Sequence, residues 1–340
     1  DLAVRAVEMV REVSQPGQEI EQFGTLLSHF DDVQAADSSC LMLKKFASVW
    51  APSTNKTRQA GVKLNAVISL TDQLPNAVDV TPQRQHDNKG LPEDTLGPNT
   101  LTFLDLGYID TERFVRMTLR GAFFLSRLKT THNPVIKQVH VGSGSRRAAR
   151  GMKLDDALES ECLGFKNGEI DVDVLLSHGG IDVVCRVVGI SNEDGDFWWY
   201  LTNVSRDTLN AHDVSVAYTL RWDIELLFKQ LKSGAGLNAI RAWRTSAVLA
   251  LIYGKIVALC VARLLELTVE EKHGSHAISQ LALLLTLNRA MPLLLGFFMR
   301  ERGVTLQQLE ERIIMIAEVV ARSRNQRRER RKRQKRQALG

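Results

Sequence analysis

Tyr218-Thr-Leu-Arg221-Trp-Asp-Ile-Glu225-Leu-Leu-Phe-Lys229-Gln-Leu-Lys232 is built from helix formers and meets no glycine or proline before Gly234. On a helix turning about 100° per residue, Tyr218, Arg221, Glu225 and Lys232 share one stripe roughly 60° wide. Polar groups at that spacing do not make a core face. They set a carboxylate among anion-binding groups, the arginine as a planar fork and the lysine as a point charge. An i,i+4 pair such as Arg221–Glu225 also decorates many solvated helices. The stripe therefore takes its meaning from the rest of the chain.

Upstream, the period changes from helix to strand. Asp32-Val-Gln-Ala-Ala-Asp37 predicts a strand ending near Asp37, followed by a turn and a second extended piece through Leu43. Val62–Leu70 alternates, and Asn76-Ala-Val-Asp-Val follows, so antiparallel neighbours are expected. A loop rich in Pro, Asn and Gly covers 82–99. Leu101-Thr-Phe-Leu-Asp105 is a short apolar strand with an acid at its end, and Asp110 is placed to cap a helix running to about Arg120. Ala122–Lys129 is the next strand. Strands at 170–177, 182–190 and 197–203 then make a β-rich insertion, and helices are expected at 207–232, 245–267, 276–290 and 305–330.

Three carboxylates thus acquire comparable positions. Asp37 ends the first strand, Asp105 ends the fourth, and Glu225 sits on the helix after the sheet. If the fourth strand lies beside the first, their ends adjoin, and a helix across that edge can bring Glu225 to the same point. Asp31, Asp32 and Asp110 compete as neighbours, but strand phase favours Asp37 over Asp32. Clustered carboxylates repel and call for a counter-charge. Magnesium, which prefers a few carboxylate oxygens with water and phosphate oxygen, supplies it, with manganese as a substitute. Two such ions about 3.5–4 Å apart suit phosphodiester chemistry. Asp37, Asp105 and Glu225 are accordingly the expected catalytic residues and metal ligands. Tyr218, Arg221, Lys229 and Lys232 are the expected grip on the phosphates of a substrate strand. Trp198 or Trp199 is a candidate for stacking on a base, although strand alternation turns one of the two inward.

Composition narrows the class further. The chain has 340 residues with 44% apolar and 24% charged, the proportions of a soluble globular protein. Cys40, Cys162, Cys185 and Cys260 form no C-x-x-C pair, which argues against a structural zinc site and a disulfide scaffold. No basic-then-apolar leader is visible after Asp1, and the apolar stretches 246–267 and 281–298 carry Lys255, Arg263 and Arg289, so both read as buried helices rather than membrane spans. Residues 322–340 hold ten Lys or Arg against one Glu, while the preceding 321 have 34 basic and 38 acidic residues. Such a tail binds polyanions without reading sequence. The expected organisation is a shortened helical segment at 1–30, a first part of the core at 31–129, an insertion at 130–205, a second part with C-terminal helices at 206–321, and the tail.

The Tyr-x2-Arg-x3-Glu-x6-Lys spacing of Tyr218, Arg221, Glu225 and Lys232 resembles the DDE transposases of bacterial insertion sequences. Leu201-Thr-Asn, Asp37-Ser-Ser and Asp105-Leu-Gly-Tyr resemble the same family, over roughly 31–265. The resemblance implies an α/β, ribonuclease H-like mixed-sheet core with a β-rich insertion and a helical C-terminal region. It implies a magnesium-dependent enzyme that nicks double-stranded DNA at transposon ends and joins the freed 3′-hydroxyl to a target, commonly through a hairpin in this branch. It also implies a homodimer on its DNA ends, in the bacterial cytoplasm and at the nucleoid when bound, with no membrane and no small-molecule cofactor. The family usually has a small residue and Thr after the first Asp; here Ser38 and Ser39 follow it. Two other functions stay open on these residues: a nuclease of the same fold without strand transfer, and an idle DNA-binding remnant.

Overall fold

The computed structural model describes residues 28–54, 60–129, 131–191, 197–229, 231–232, 236–237, 240–273 and 315. Save for 28–30 and 315, the helices expected over 1–30, 276–290 and 305–330 fall outside these residues, as does the basic tail. The chain divides into two compact units, Pro16–Leu226 and Asp1–Gln15 with Leu227–Gly340.

In the first unit, β1 (Asp32–Met42), β2 (Gly61–Ser69), β3 (Pro75–Pro82) and β4 (Thr100–Leu104) come in sequence. After them, α1 (Thr111–Leu119) leads to β5 (Phe123–Arg127). Then come β6 (Val135–Val141), α2 (Arg146–Ala149), α3 (Leu154–Glu159), β7 (Glu169–His178), β8 (Ile181–Ser191) and β9 (Phe197–Thr202). All nine strands lie in one sheet, in the order β3-β2-β1-β4-β5-β9-β8-β7-β6.

β1 pairs antiparallel with β2 and parallel with β4, and β4 pairs parallel with β5. A parallel neighbour requires a crossover, and α1 provides it between β4 and β5. Asp110 caps α1 by accepting from the N–H groups of Glu112 and Arg113, as its position predicts. The apolar face of α1 is buried: Phe114 stacks on Phe124 of β5 with ring centroids 4.1 Å apart. β2 is buried along its whole length, which makes it an interior strand covered on both faces.

β1 corrects the expected strand ending near Asp37. The strand runs through that residue, because β2 keeps pairing from Asp37↔Ala66 to Met42↔Gly61. The strands of 130–205 extend the core sheet itself. β9 pairs with β5, Leu125 opposite Thr202, and the Thr202 hydroxyl donates to the Phe124 carbonyl. Their buried polar side chains are paired: Arg186 donates to Asp171 through Nε at 3.0 Å, and Arg206 bridges Asp171 and Asp173.

The single helix expected over 207–232 is also corrected. α4 (Ala211–Tyr218) starts at an Asn210–Asp213 capping box, so 207–210 stay outside it. A 3₁₀ turn at Thr219–Arg221 separates α4 from α5 (Trp222–Lys229). The Thr219 hydroxyl donates to the Val216 carbonyl at 2.6 Å, and such local bonding competes with the regular helical ladder.

The second unit contributes α6 (Thr245–His273). Val248, Ile252, Ile256 and Leu259 bury one stripe at helical spacing, with Arg263 at its end. Thr245–Arg263 is long and apolar enough to cross a membrane by length and composition alone, with 33% of the window buried.

Candidate active site

Register brings the first two acids together. Ala36↔Leu104 is the last pair of the parallel β1–β4 ladder, so Asp37 and Asp105 are the next residue on each chain. At that point β4 stops: Asp105 precedes the 3₁₀ turn Leu106–Tyr108, its backbone carbonyl accepting from the Tyr108 N–H while its side chain makes no capping bond. β1 continues, which fixes Asp37 by pairing on its far side. The expectation that the two acids adjoin holds, although only one of them stands at a strand end.

The third acid arrives from α5. Arg221 donates from Nη2 to Glu225 Oε1 at 2.8 Å, and its Nη1 lies 3.7 Å from Asp37 Oδ2. Burial works against charge on the guanidinium, but Glu225, Tyr218, Asp105 and Asp37 together outweigh it, and the pKa of Arg221 is raised. Asp37 is pushed up to about 6, first by burial. The Ser38 N–H and Arg221 pull it back, while Asp105 and Glu225 push it further up. Each of the other two carboxylates is thus close enough to raise the cost of charge on Asp37.

Tyr218 is buried, and its hydroxyl donates to the Leu104 carbonyl at 3.2 Å, one residue before Asp105. Burial raises its pKa to about 12, so it is a neutral phenol at neutral pH. Trp198 and Trp199 divide as alternation predicts. Trp198 is exposed, with the Arg127 guanidinium 3.9 Å from its ring centre. Trp199 packs against Phe165 and lies over Gly189. Lys229 and Lys232 belong to the second unit, Lys229 exposed and Lys232 half-buried.

The competing acids have structural partners. Asp32 accepts from Ser69 and Asn76, Asp31 accepts from Asn99, and Asp110 caps α1. Sequence reasoning missed Lys63 and Asp87, which lie behind Asp37. Lys63 Nζ donates to Asp87 Oδ1 at 2.6 Å, and the Ser38 hydroxyl donates to the same oxygen at 2.8 Å. A lysine at a buried strand position was the available signal, since it must find a counter-charge.

A hard divalent cation suits this donor set in kind, because all three side chains offer carboxylate oxygen. Burial is the first cause of the raised pKa of Asp37, with Asp105 and Glu225 adding to it as nearby negative charges. Among the described residues no three His, Cys, Asp or Glu side chains close around one point. Arg221 stands between Asp37 and Glu225.

A mixed sheet with two acids at adjoining positions on β1 and β4, and a glutamate beyond its last strand, defines the ribonuclease H-like DDE class. The chain belongs to the transposase DDE domain family, whose model matches residues 28–261. It is 25% identical over 281 residues to the transposase of insertion sequence element IS231B from Bacillus thuringiensis subsp. berliner, covering 70% of this chain and 57% of that protein. It is 22% identical over 270 residues to the transposase of IS1151 from Clostridium perfringens, covering 69% and 57% respectively. The chain therefore spans little more than half the length of these relatives. Among solved structures it resembles piggyBac transposase in a synaptic complex with hairpin DNA, with a TM-score of 0.50 and 11% identity over 93% of this chain and 64% of that one. That likeness is one of fold.

Proposed function

We propose that this chain is the catalytic part of an insertion-sequence transposase that cuts double-stranded DNA at transposon ends and joins the freed 3′-hydroxyl to target DNA. The observation that supports this reading is that Asp37 and Asp105 directly follow the last registered pair of the parallel β1–β4 ladder, while Arg221 reaches both Asp37 and Glu225.

Asp37, Asp105 and Glu225 would hold magnesium, or manganese in its place. Such ions lower the cost of charge on the attacking and leaving oxygens of phosphodiester exchange. In the cut, a water oxygen bonds to phosphorus while the 3′-oxygen leaves and is protonated. In joining, that 3′-hydroxyl oxygen attacks a target phosphate and loses its proton, while another 3′-oxygen leaves.

Arg221 offers a forked donor to a phosphate oxygen beside the carboxylates. Tyr218 fixes the Leu104 carbonyl, and with it the backbone leading into Asp105. Lys229 and Lys232 are further candidates for phosphate contact, and Trp198 offers an exposed ring for stacking. The working form is a homodimer on paired ends, in the bacterial cytoplasm.

Magnesium-dependent cleavage of end-containing DNA by the wild type and by Glu225→Ala tests the reading. We expect loss of cutting with DNA binding retained, because the phosphate contacts do not depend on that carboxylate. Equal cutting by both proteins would end it.

A further inference from the structure

We infer that Asp87 is a positioning residue for the acidic site: held by Lys63, it grips Ser38 on one side and lies beside the Leu106–Tyr108 turn on the other, and so sets the spacing of Asp37 and Asp105. The inference rests on the reading of those two acids as metal ligands.

The contacts run in both directions from one carboxylate. Ser38 directly follows Asp37; its N–H donates to Asp37 Oδ1 at 2.7 Å and its hydroxyl donates to Asp87 Oδ1 at 2.8 Å. On the other side lies Gly107, where an added Cβ would meet Asp87 Oδ2 at 3.4 Å, an ordinary van der Waals separation. Gly107 belongs to the turn that follows Asp105. One carboxylate thus bonds to the residue after the first acid and lies beside the turn after the second.

Its neighbours hold Asp87 in that place. Lys63 donates to Asp87 Oδ1 at 2.6 Å and to the Gln85 carbonyl at 2.9 Å. Asn88 donates to the Ile109 carbonyl at 3.2 Å. Arg113, buried at 2% exposure, donates to the Tyr108 carbonyl at 2.8 Å and the Asn88 carbonyl at 2.6 Å. The loop is therefore sewn to the backbone on both sides of Asp87.

Stability alone does not account for this arrangement. Lys63 is only 9% exposed while the Asp87 side chain keeps 32% of its exposure, so desolvation of the lysine offsets much of what the pair gains. What the ion pair supplies is direction: it fixes one carboxylate oxygen where both Lys63 and Ser38 reach it. Asp87 stays ionised, because burial, which alone would raise its pKa, is outweighed by the hydrogen bonds from Lys63 and Ser38.

The test uses the full chain and two readouts, manganese binding to the DNA-free protein by electron paramagnetic resonance and single-turnover cleavage at saturating DNA. Outer partners of metal ligands typically change metal affinity by about 10–100-fold. We expect Asp87→Asn and Ser38→Ala to weaken manganese binding within that range and to slow cleavage, with DNA affinity unchanged. Ser38→Thr, which keeps the hydroxyl, should restore both. Ser38→Ala leaves the Lys63–Asp87 pair intact, so it decides the matter if Asp87→Asn fails to fold. Wild-type manganese affinity and rate in Ser38→Ala would overturn the inference. Glu225→Ala is run alongside. If it is dead while Ser38→Ala and Asp87→Asn behave as wild type, only the positioning role falls. If it cuts normally, the reading of the site falls and this inference with it.

Discussion

The Arg221 guanidinium lies between two carboxylates, with Nη2 2.8 Å from Glu225 Oε1 and Nη1 3.7 Å from Asp37 Oδ2. Its Nε is buried without a hydrogen-bond partner, so the fork is not fully used by these two acids. A group that neutralises carboxylates in this way competes with any other cation for the same oxygens. Arg221→Gln should therefore bind manganese more tightly than the wild type when DNA is absent. The gain should be about fivefold, or roughly 1 kcal/mol, the scale of a partly screened ion pair. The same variant should bind end DNA more weakly. A titration showing unchanged or weaker manganese binding would show that the guanidinium does not compete.

Trp198 and Trp199 should separate stability from DNA contact. Trp198 is exposed beside Arg127, so Trp198→Ala should leave the unfolding midpoint within experimental error while weakening DNA binding by about 1–3 kcal/mol if the ring stacks on a base. Trp199 is half-buried and packs against Phe165, so its removal should lower stability by about 1–3 kcal/mol, less than for a fully buried aromatic. A stable Trp199→Ala protein would contradict this division.

Gly189 makes a sharper test of the same packing. A Cβ there would stand 2.7 Å from Trp199 Cζ3, too close without movement of the ring. Gly189→Ala should destabilise by about 1–3 kcal/mol, the usual cost of overpacking. Chemical denaturation would read the stability, and a shift in tryptophan emission would report the displaced ring.

A pH dependence follows from Asp173. Burial would raise its pKa, but the hydrogen bonds from His140 and Arg206 outweigh this, and the value is lowered from its ordinary 3.8. A depressed carboxylate contributes stability that is fully present above the unfolded value and is lost as pH falls through the folded one. The urea midpoints of the wild type and Asp173→Asn should therefore differ most near neutral pH. They should converge as the pH drops below about 4. A constant gap across that range would show that the pairing contributes nothing.

Much of the core could be read before the structure. Alternation located β2, the strand expected at Ala122–Lys129 contains β5, Asp110 announced α1, and the acid following Leu104 marked the end of β4. The parts that escaped were those that local pattern does not encode. Asp37 looked terminal because Ser38 and Ser39 resemble a turn, yet β2 supplies ladder partners that hold the strand straight through them. β6 was not recognised because register shifts between Ile136 and Gln138 and between Val139 and Val141 break its period of two. The 3₁₀ turn between α4 and α5 falls at Thr219, whose hydroxyl bonds the Val216 carbonyl, a local competition that helical periodicity does not encode. In the site, the Arg221–Glu225 pair was legible from its spacing of four. The Arg221–Asp37 contact joins residues far apart in sequence and depends on how the sheet meets the following helix. Asp87 lies in a loop without period, where nothing local sets it apart from other solvated acids.

The β5–β9 pairing has a consequence for how the chain is made. Leu125 finds its partner Thr202 only after β6, β7 and β8 have been synthesised, so one side of β5 stays open during translation. Contacts of such sequence separation slow folding, because a long loop must be closed before they form. During that interval β5 presents an unpaired edge, the feature that invites pairing with another chain. Glu225 emerges from the ribosome later still. The acids of β1 and β4 can meet early, but the third wall of the site waits until the sheet has been completed around them.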